Sequence, residues 1–302
     1  MTAAAAIGSG RRKKRTTVPS RRIICIVRLA AFAGTMALAW PGAQAFAQVK
    51  LEGSYTASLA GIPVGKGVWL IDVSPDQFTA AASGRTTGVL QVLAGGRGAA
   101  MAKGAIAAGR PTPTAFSSSI VTEQRANEVK MALSGGNVKE ISAEPPSSPY
   151  ADRVPITDAH RQGVLDPMSA ALIPVPGNGA LVSREACSRT LAIFDGRGRF
   201  DLTLSFKRID QVKAEKGYQG PAAVCAVAYR PVSGHRSSQS AVKYLMARDD
   251  IELWLAPVAG TRLLVPFRVS VPTVLGTAVV EATQFVTVTQ AARSTPTNLK
   301  TQ

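Results

Sequence analysis

Two histidines, two cysteines in the body of the chain and one aspartate placed directly before a proline are the residues that invite a chemical reading. His160 lies in "TDAHRQG" beside Asp158, and His235 lies in "SGHRSSQS" among serines. Nucleophilic catalysis needs a base within hydrogen-bond reach of a hydroxyl or thiol. No serine sits in a G-x-S-x-G elbow, so both histidines are expected in solvated loops and no catalytic residue is assigned. An exported hydrolase using His160 or His235 with a serine is the alternative.

Asp166 opens the turn in "GVLDPMSAALIPVP", residues 163–176. An Asp before Pro and an apolar run is the pattern of a helix start, the carboxylate accepting from first-turn N–H groups and Pro167 sitting at the first helical position. The expected helix turns Met168, Ala171 and Leu172 to the core and ends at Pro174 and Pro176. A helix dipole favours the ionised carboxylate. A lowered pKa is therefore expected for Asp166, the wrong direction for a general acid. Its expected role is a structural cap.

The other chemical patterns are weak. Asp249 and Asp250 precede a strand and read as solvated entry residues, and Glu185, next to Cys187, is expected to meet a cation across the sheet. "VLAGGRGAA" (92–100) lacks the Lys-Ser/Thr pair of a phosphate loop. With no CxxC and no Cys/His cluster, neither a metal nor a cofactor is expected. Aromatic content of 6% argues against stacking platforms for nucleic acid or carbohydrate.

Charge has to be located before it is interpreted. Residues 1–47 hold eight of the 35 basic residues and no acid. A basic start, the apolar run "LAAFAGTMALAW" (29–40) and small-x-small sites ending at Ala45 and Ala47 read as a cleaved signal peptide. The run is shorter than the roughly 20 residues of a membrane span, and an anchor starting at Ile23 would bury Arg28 at about 3 kcal/mol. "SRRIIC" (20–25) has a twin-arginine look, so both export routes stay open. Without the leader, 27 basic and 19 acidic residues remain, a thin net charge of +8 with no cluster. Periplasmic delivery is the expected localisation, with no membrane span after cleavage.

Export decides how the cysteines are read. Cys25 leaves with the leader, and Cys187 and Cys225 remain as an even pair in an oxidising compartment, where a disulfide is the economical assignment. Closing a loop of 38 positions is worth roughly 3–4 kcal/mol. Each cysteine falls in a strand-like run, "EACSRTLAIF" and "AAVCAVAYRP".

These residues need elements to hold them, and the elements read as strands. In "FDLTLSFK" (200–207), Phe200, Leu202, Leu204 and Phe206 alternate with polar residues. "AIFDGRGRF" turns back at Asp195-Gly196, and "VKMALSGGNVKEI" (129–141) turns at Gly135-Gly136. "VKLEGSYTASLAGIPVGKGVWLIDV" reads as two strands joined through Gly61-Ile62-Pro63, with "QFTAAASGRT" as a third. "IELWL" (251–255) and "LVPFRVSV" (264–271) alternate too; Val265, Phe267, Val269 and Val271 are expected on one face, with Pro266 marking an edge or a bulge. Trp69 and Trp254 are expected in or near the core. Hairpins in series make an antiparallel sheet. "TTGVLQVLAGG" (86–96) is the second helix expected. The proline-rich stretch 143–163 is expected to be a crossover within one sheet, giving a single domain over 48–290 and a frayed tail at 291–302.

"YTASLAGIPVGKG" (55–67), "ASGRTTGVL" (82–90) and "GVLDPMSA" (163–170), in this order and spacing, resemble the bacterial family catalogued as domain of unknown function 3108. The resemblance spans roughly 49–290. It implies an exported protein with a long curved antiparallel sheet, a spiral or half-barrel in outline similar to periplasmic lipoprotein carriers, wrapped around short helices in its concave face. It supplies no catalytic residue. The Ala, Val and Leu of the inward faces suit either an apolar cavity or a face filled by its own helices. The expected function is that of a non-enzymatic envelope protein holding a lipid, a lipidated partner or a protein segment, with a pure scaffold as a further alternative. Nucleic acid is not an expected partner, and no oligomeric state follows from the residues.

Overall fold

The computed structural model describes residues 48–88, 91 and 95–290. The expected leader (1–47) and tail (291–302) lie outside them, as do residues 89, 90 and 92–94 of the helix expected over 86–96, whose ends Thr86 and Gly96 belong to strands. Among the described residues there are 15 strands in one sheet. In chain order they are β1 (Gln48–Leu59), β2 (Ile62–Val73), β3 (Gln77–Thr86), β4 (Gly96–Ala107), β5 (Arg110–Thr122), β6 (Ala126–Ser134) and β7 (Asn137–Glu144). After a crossover come β8 (Ile173–Pro174), β9 (Arg189–Phe194), β10 (Arg199–Lys213), β11 (Lys216–Gly217), β12 (Gln219–Ser233), β13 (Glu252–Pro257), β14 (Leu263–Thr273) and β15 (Gly276–Gln290). The helices are short: α1 (Pro167–Ala170) in the crossover and α2 (Ser240–Met246) after β12. No helix among the described residues is long and apolar enough to cross a membrane.

Spatial order runs β7-β6-β5-β4-β3-β2-β1-β15-β14-β13-β12-β10-β9. Neighbours pair antiparallel, and β11 alone pairs parallel, with β15. The chain therefore makes seven strands as consecutive hairpins, carries 145–188 from one edge of the sheet to the other, and fills the second half. The stretch 143–163 is thus the crossover expected. Curling brings the two edges together: Arg197, in the β9–β10 turn, donates from Nη1 to Pro145 O and from Nη2 to Glu144 O, both at 3.0 Å.

Alternation within each strand sends one set of side chains to the inner face. Leu51, Ile71, Phe78, Ala102 and Phe116 pack there with Val224, Trp254 and Phe267 from the second half. The crossover covers this face with Val164, Met168 and Leu172. A second cluster lies on the opposite face of β12, where Ala223, Cys225 and Val227 alternate with the inward Ala222 and Val224. Leu181, Val182 and α2's Leu245 cover it. Strands buried on both faces lose the clean polar alternation of a one-sided sheet, and β12 reads accordingly.

Bulges account for several departures from simple alternation. Phe200, Leu202, Leu204 and Phe206 do share a side, that of the second cluster, until a bulge between Phe206 and Arg208 turns Val212 to the main core. Val265, Phe267, Val269 and Val271 do not share one face: the register slips at Phe267, leaving Val265 and Phe267 in the main core and Val271 on the second cluster. An extra residue in one strand of a pair has that effect, and Pro266 sits beside it. The first hairpin turns on Ala60-Gly61, φ 50° and 80°, not on Gly61-Ile62-Pro63. A two-residue turn of type I′ has positive φ at both positions, and Ile62 and Pro63 already belong to β2. Cys187 ends a 3₁₀ turn, Arg184–Cys187, and is not in a strand.

Candidate ligand-binding site

The "GVLDPMSA" segment is pinned before its helix begins. Leu165 donates its N–H to Ala192 O and accepts at its carbonyl oxygen from Phe194 N–H, both at 2.9 Å, so it runs as a short parallel bridge on β9. Asp166 then accepts at Oδ1 from the N–H groups of Met168 (2.9 Å) and Ser169 (3.0 Å), while Oδ2 accepts from Ser169 Oγ–H at 2.5 Å. Pro167 occupies the first helical position. The lowered pKa expected from the dipole is not found. Asp166 is fully buried, and burial raises its pKa although all three hydrogen bonds favour the ionised form. A helix of four residues has little dipole to set against desolvation.

At this end of the inner face α1 leaves a cleft. Its volume is about 950 Å³, and Val49, Val73, Ile106, Leu172 and Leu263 line it along with Arg110 and Arg189. Arg189 Nη1 donates to Pro174 O at 2.9 Å and Nη2 to Glu185 O at 3.0 Å, while its buried Nε has no partner. Burial, then the charge of Arg110, lowers its pKa. Neither arginine forms an ion pair among the described residues. The one carboxylate lining the cleft is Glu185, held below its usual pKa by the Ser183 hydroxyl. Arg262 closes the rim structurally, Nε donating to Val175 O at 3.0 Å and Nη2 to Gly179 O at 3.1 Å. A smaller apolar cleft of about 310 Å³ opens at the far side of α1, between Trp69, Met168, Ala171 and Phe267. The inner face is therefore plugged in its middle and open at both ends.

The other chemically suggestive residues are scattered. His160 lies in a 3₁₀ turn, Asp158–Arg161, where its Nδ1 accepts from Thr157 N–H at 3.0 Å. Asp158 pairs with Arg161 rather than with His160. His235 follows β12 in a separate cleft with Arg153, Arg199 and Ser233. His235 Nδ1 and Ser233 Oγ are buried without partners, and no serine hydroxyl bonds either histidine among the described residues. Cys187 and Cys225 are disulfide-bonded, Cα atoms 5.4 Å apart, in the second cluster, and neither lines a cleft. A disulfide suits an oxidising compartment. Asp250 pairs with Arg248 on the surface. Glu185 meets the Ser183 hydroxyl, not a cation on a neighbouring strand.

Sequence reading missed Arg110 and Arg189. They lie 79 positions apart in unremarkable local sequence, and only the curl of the sheet brings β5 towards β9.

The protein-family model described as "Protein of unknown function (DUF3108)" matches residues 54–283. No curated protein matches the chain. Among solved structures, the chain is similar to a beta-barrel-like protein of domain of unknown function DUF1849 from Brucella abortus. Identity is 9% and the TM-score 0.42, covering 82% of this chain and 99% of that one.

Proposed function

The chain belongs to the DUF3108 family, and from that premise and the geometry of its inner face we propose that it is a non-enzymatic periplasmic envelope protein that holds an acyl chain. One observation carries the reading: a cleft of about 950 Å³ with apolar walls and an arginine pair lacking a carboxylate partner. That volume falls in the range of small-molecule sites, which combine apolar walls with a few placed polar groups. The chain's tail would lie along Val49, Val73 and Leu172. Its anionic head would face Arg110 and the unsatisfied Nε of Arg189, supplying the acceptor that this buried donor lacks. The leader-like first 47 residues and the disulfide support export to the periplasm.

Organic extraction of the purified protein followed by mass spectrometry is the test. A co-purifying fatty acid or lipid is the expected result, with Arg110→Gln weakening uptake of a fluorescent fatty acid and Leu172→Trp blocking it. A lipid-free protein that ignores the fluorescent fatty acid overturns the reading.

An exported hydrolase is the second reading, favoured by the unpartnered His235 Nδ1 and Ser233 Oγ in one cleft. It requires that replacing both histidines by Ala abolish turnover in an esterase and amidase panel. Unaltered turnover ends it.

A further inference from the structure

The outer face of the first half-sheet carries an arrangement that neither the core nor the inner clefts explain. Lys66 on β2 is registered directly opposite Arg85 on β3, which is registered directly opposite Arg97 on β4. Residues opposite one another across a ladder share a face. The inward residue next to Lys66 is Gly67, opposite Tyr55 of the core, so the three cations project outward, where all are exposed. Strands lie about 4.8 Å apart, which puts three positive charges within roughly 10 Å.

Like charges directly opposed destabilise a sheet, and none of the three has an ion-pair partner among the described residues. The residues outside the described ones contain no Asp or Glu. Glu281, beyond Thr56 in the same row, pairs with Arg268. The groove of about 750 Å³ over the row has one carboxylate in its lining, Glu215, and no ion pair joins it to the row.

The neighbouring rows decide what such a row would meet. Ser54, Val68, Ser83, Ala99 and Ser119 form the next row on this face. Leu70, Ala81 and Met101 form the one after, flanked by Glu52 on β1, which pairs with Lys50, and by Ser117 on β5. Val68 is 45% exposed, Leu70 39% and Met101 53%. Across β2–β4 the face thus grades from cations through hydroxyls to apolar side chains within three rows, before the polar row of Asp72, Thr79 and Lys103. This is the order of groups that an interfacial surface presents to a bilayer, with basic residues at the phosphates and apolar ones deeper. Single-stranded nucleic acid would require exposed rings for stacking, and the one ring lining the groove, Tyr55, is committed to a hydrogen bond with Pro266 O at 2.9 Å.

We propose that this outer face docks on an anionic lipid bilayer, with Lys66, Arg85 and Arg97 on lipid phosphates and Val68, Leu70 and Met101 entering the interface. Docking here leaves the inner cleft free, so the proposal stands or falls separately from the acyl-chain reading. Each basic residue near an anionic surface is worth about fivefold in affinity, and the row about a hundredfold.

Co-sedimentation of the purified protein with vesicles containing phosphatidylglycerol, against vesicles of phosphatidylcholine alone, is the experiment. The wild type is compared with a Lys66→Gln/Arg85→Gln/Arg97→Gln variant having the same N-terminus. The expected result is selective binding to the anionic vesicles, weakened about a hundredfold in the variant and by added salt. The single Arg85→Gln change, about fivefold weaker, supplies the reading should the triple variant misfold. Equal binding by wild type and variant, or equal binding to both vesicle types, overturns the proposal. So does displacement by inorganic phosphate beyond that by sodium chloride of the same ionic strength, which would make the row a small-anion site. Loss of docking with fatty-acid uptake intact would confirm this surface alone. Intact docking in a lipid-free protein would remove only the acyl-chain reading.

Discussion

Asp166 shows how one carboxylate can be both a cap and a liability. Its two oxygens accept three hydrogen bonds, yet burial raises its pKa above the ordinary 3.8. A group whose folded pKa exceeds its unfolded one contributes stability that is complete below the unfolded value and is lost as pH rises through the folded one. Asp166→Asn keeps an acceptor for the two N–H groups and removes the charge. Denaturant titrations should find it at least as stable as wild type at neutral pH, with the difference closing in acid. Asp166→Ala should lose about 1–2 kcal/mol. A variant Asn less stable at neutral pH than in acid, relative to wild type, would reject this account. Glu252 runs the other way: hydrogen bonding to Arg208 outweighs burial and lowers its pKa to about 2. Its contribution is present above the ordinary 4.5 and lost as pH falls through 2. Cap and proline were legible because both act within four residues; the sign of the pKa shift was not, because desolvation comes from β9 and the core.

At the scale of elements, the hairpins were legible wherever turn chemistry is local. Gly135-Gly136, φ 57° and 76°, turns β6 into β7 as the sequence indicates, and β3 begins and ends where its alternation does. Apart from the one beside Pro266, which the proline marks, bulges were not legible, since the extra residue is fixed by the partner strand. Gly104 illustrates the constraint: β4 slips register between Lys103 and Gly104, and a Cβ at Gly104 would lie 2.2 Å from Thr112 O and 2.8 Å from Phe78 Cε1. Gly104→Ala is therefore expected to destabilise by about 2–3 kcal/mol through displaced backbone and core, measured by chemical denaturation. Wild-type stability would show that β4 relaxes freely. Ala108, φ 49° beside Gly109, makes the opposite prediction. Asn suits a left-handed turn position better than Ala, so Ala108→Asn should raise stability by roughly 0.5 kcal/mol and advance the melting temperature.

For the whole molecule, the staple and the seam hold the curl. The Cys187–Cys225 bond ties the crossover to β12, and Cys187→Ser/Cys225→Ser should lose roughly 3 kcal/mol, with reductant producing the same shift in wild type. Both this bond and the single antiparallel sheet could be argued from the sequence, the first from cysteine count and leader, the second from serial hairpins; these depend on local patterns that every residue in a strand repeats. What the tertiary structure decided was which distant residues share a surface. Arg110 reaches Arg189, Lys66 aligns with Arg85 and Arg97, and α1 plugs the middle of the inner face while leaving its ends open, because register, bulges and the closing of β7 towards β9 depend on contacts between segments far apart in the chain.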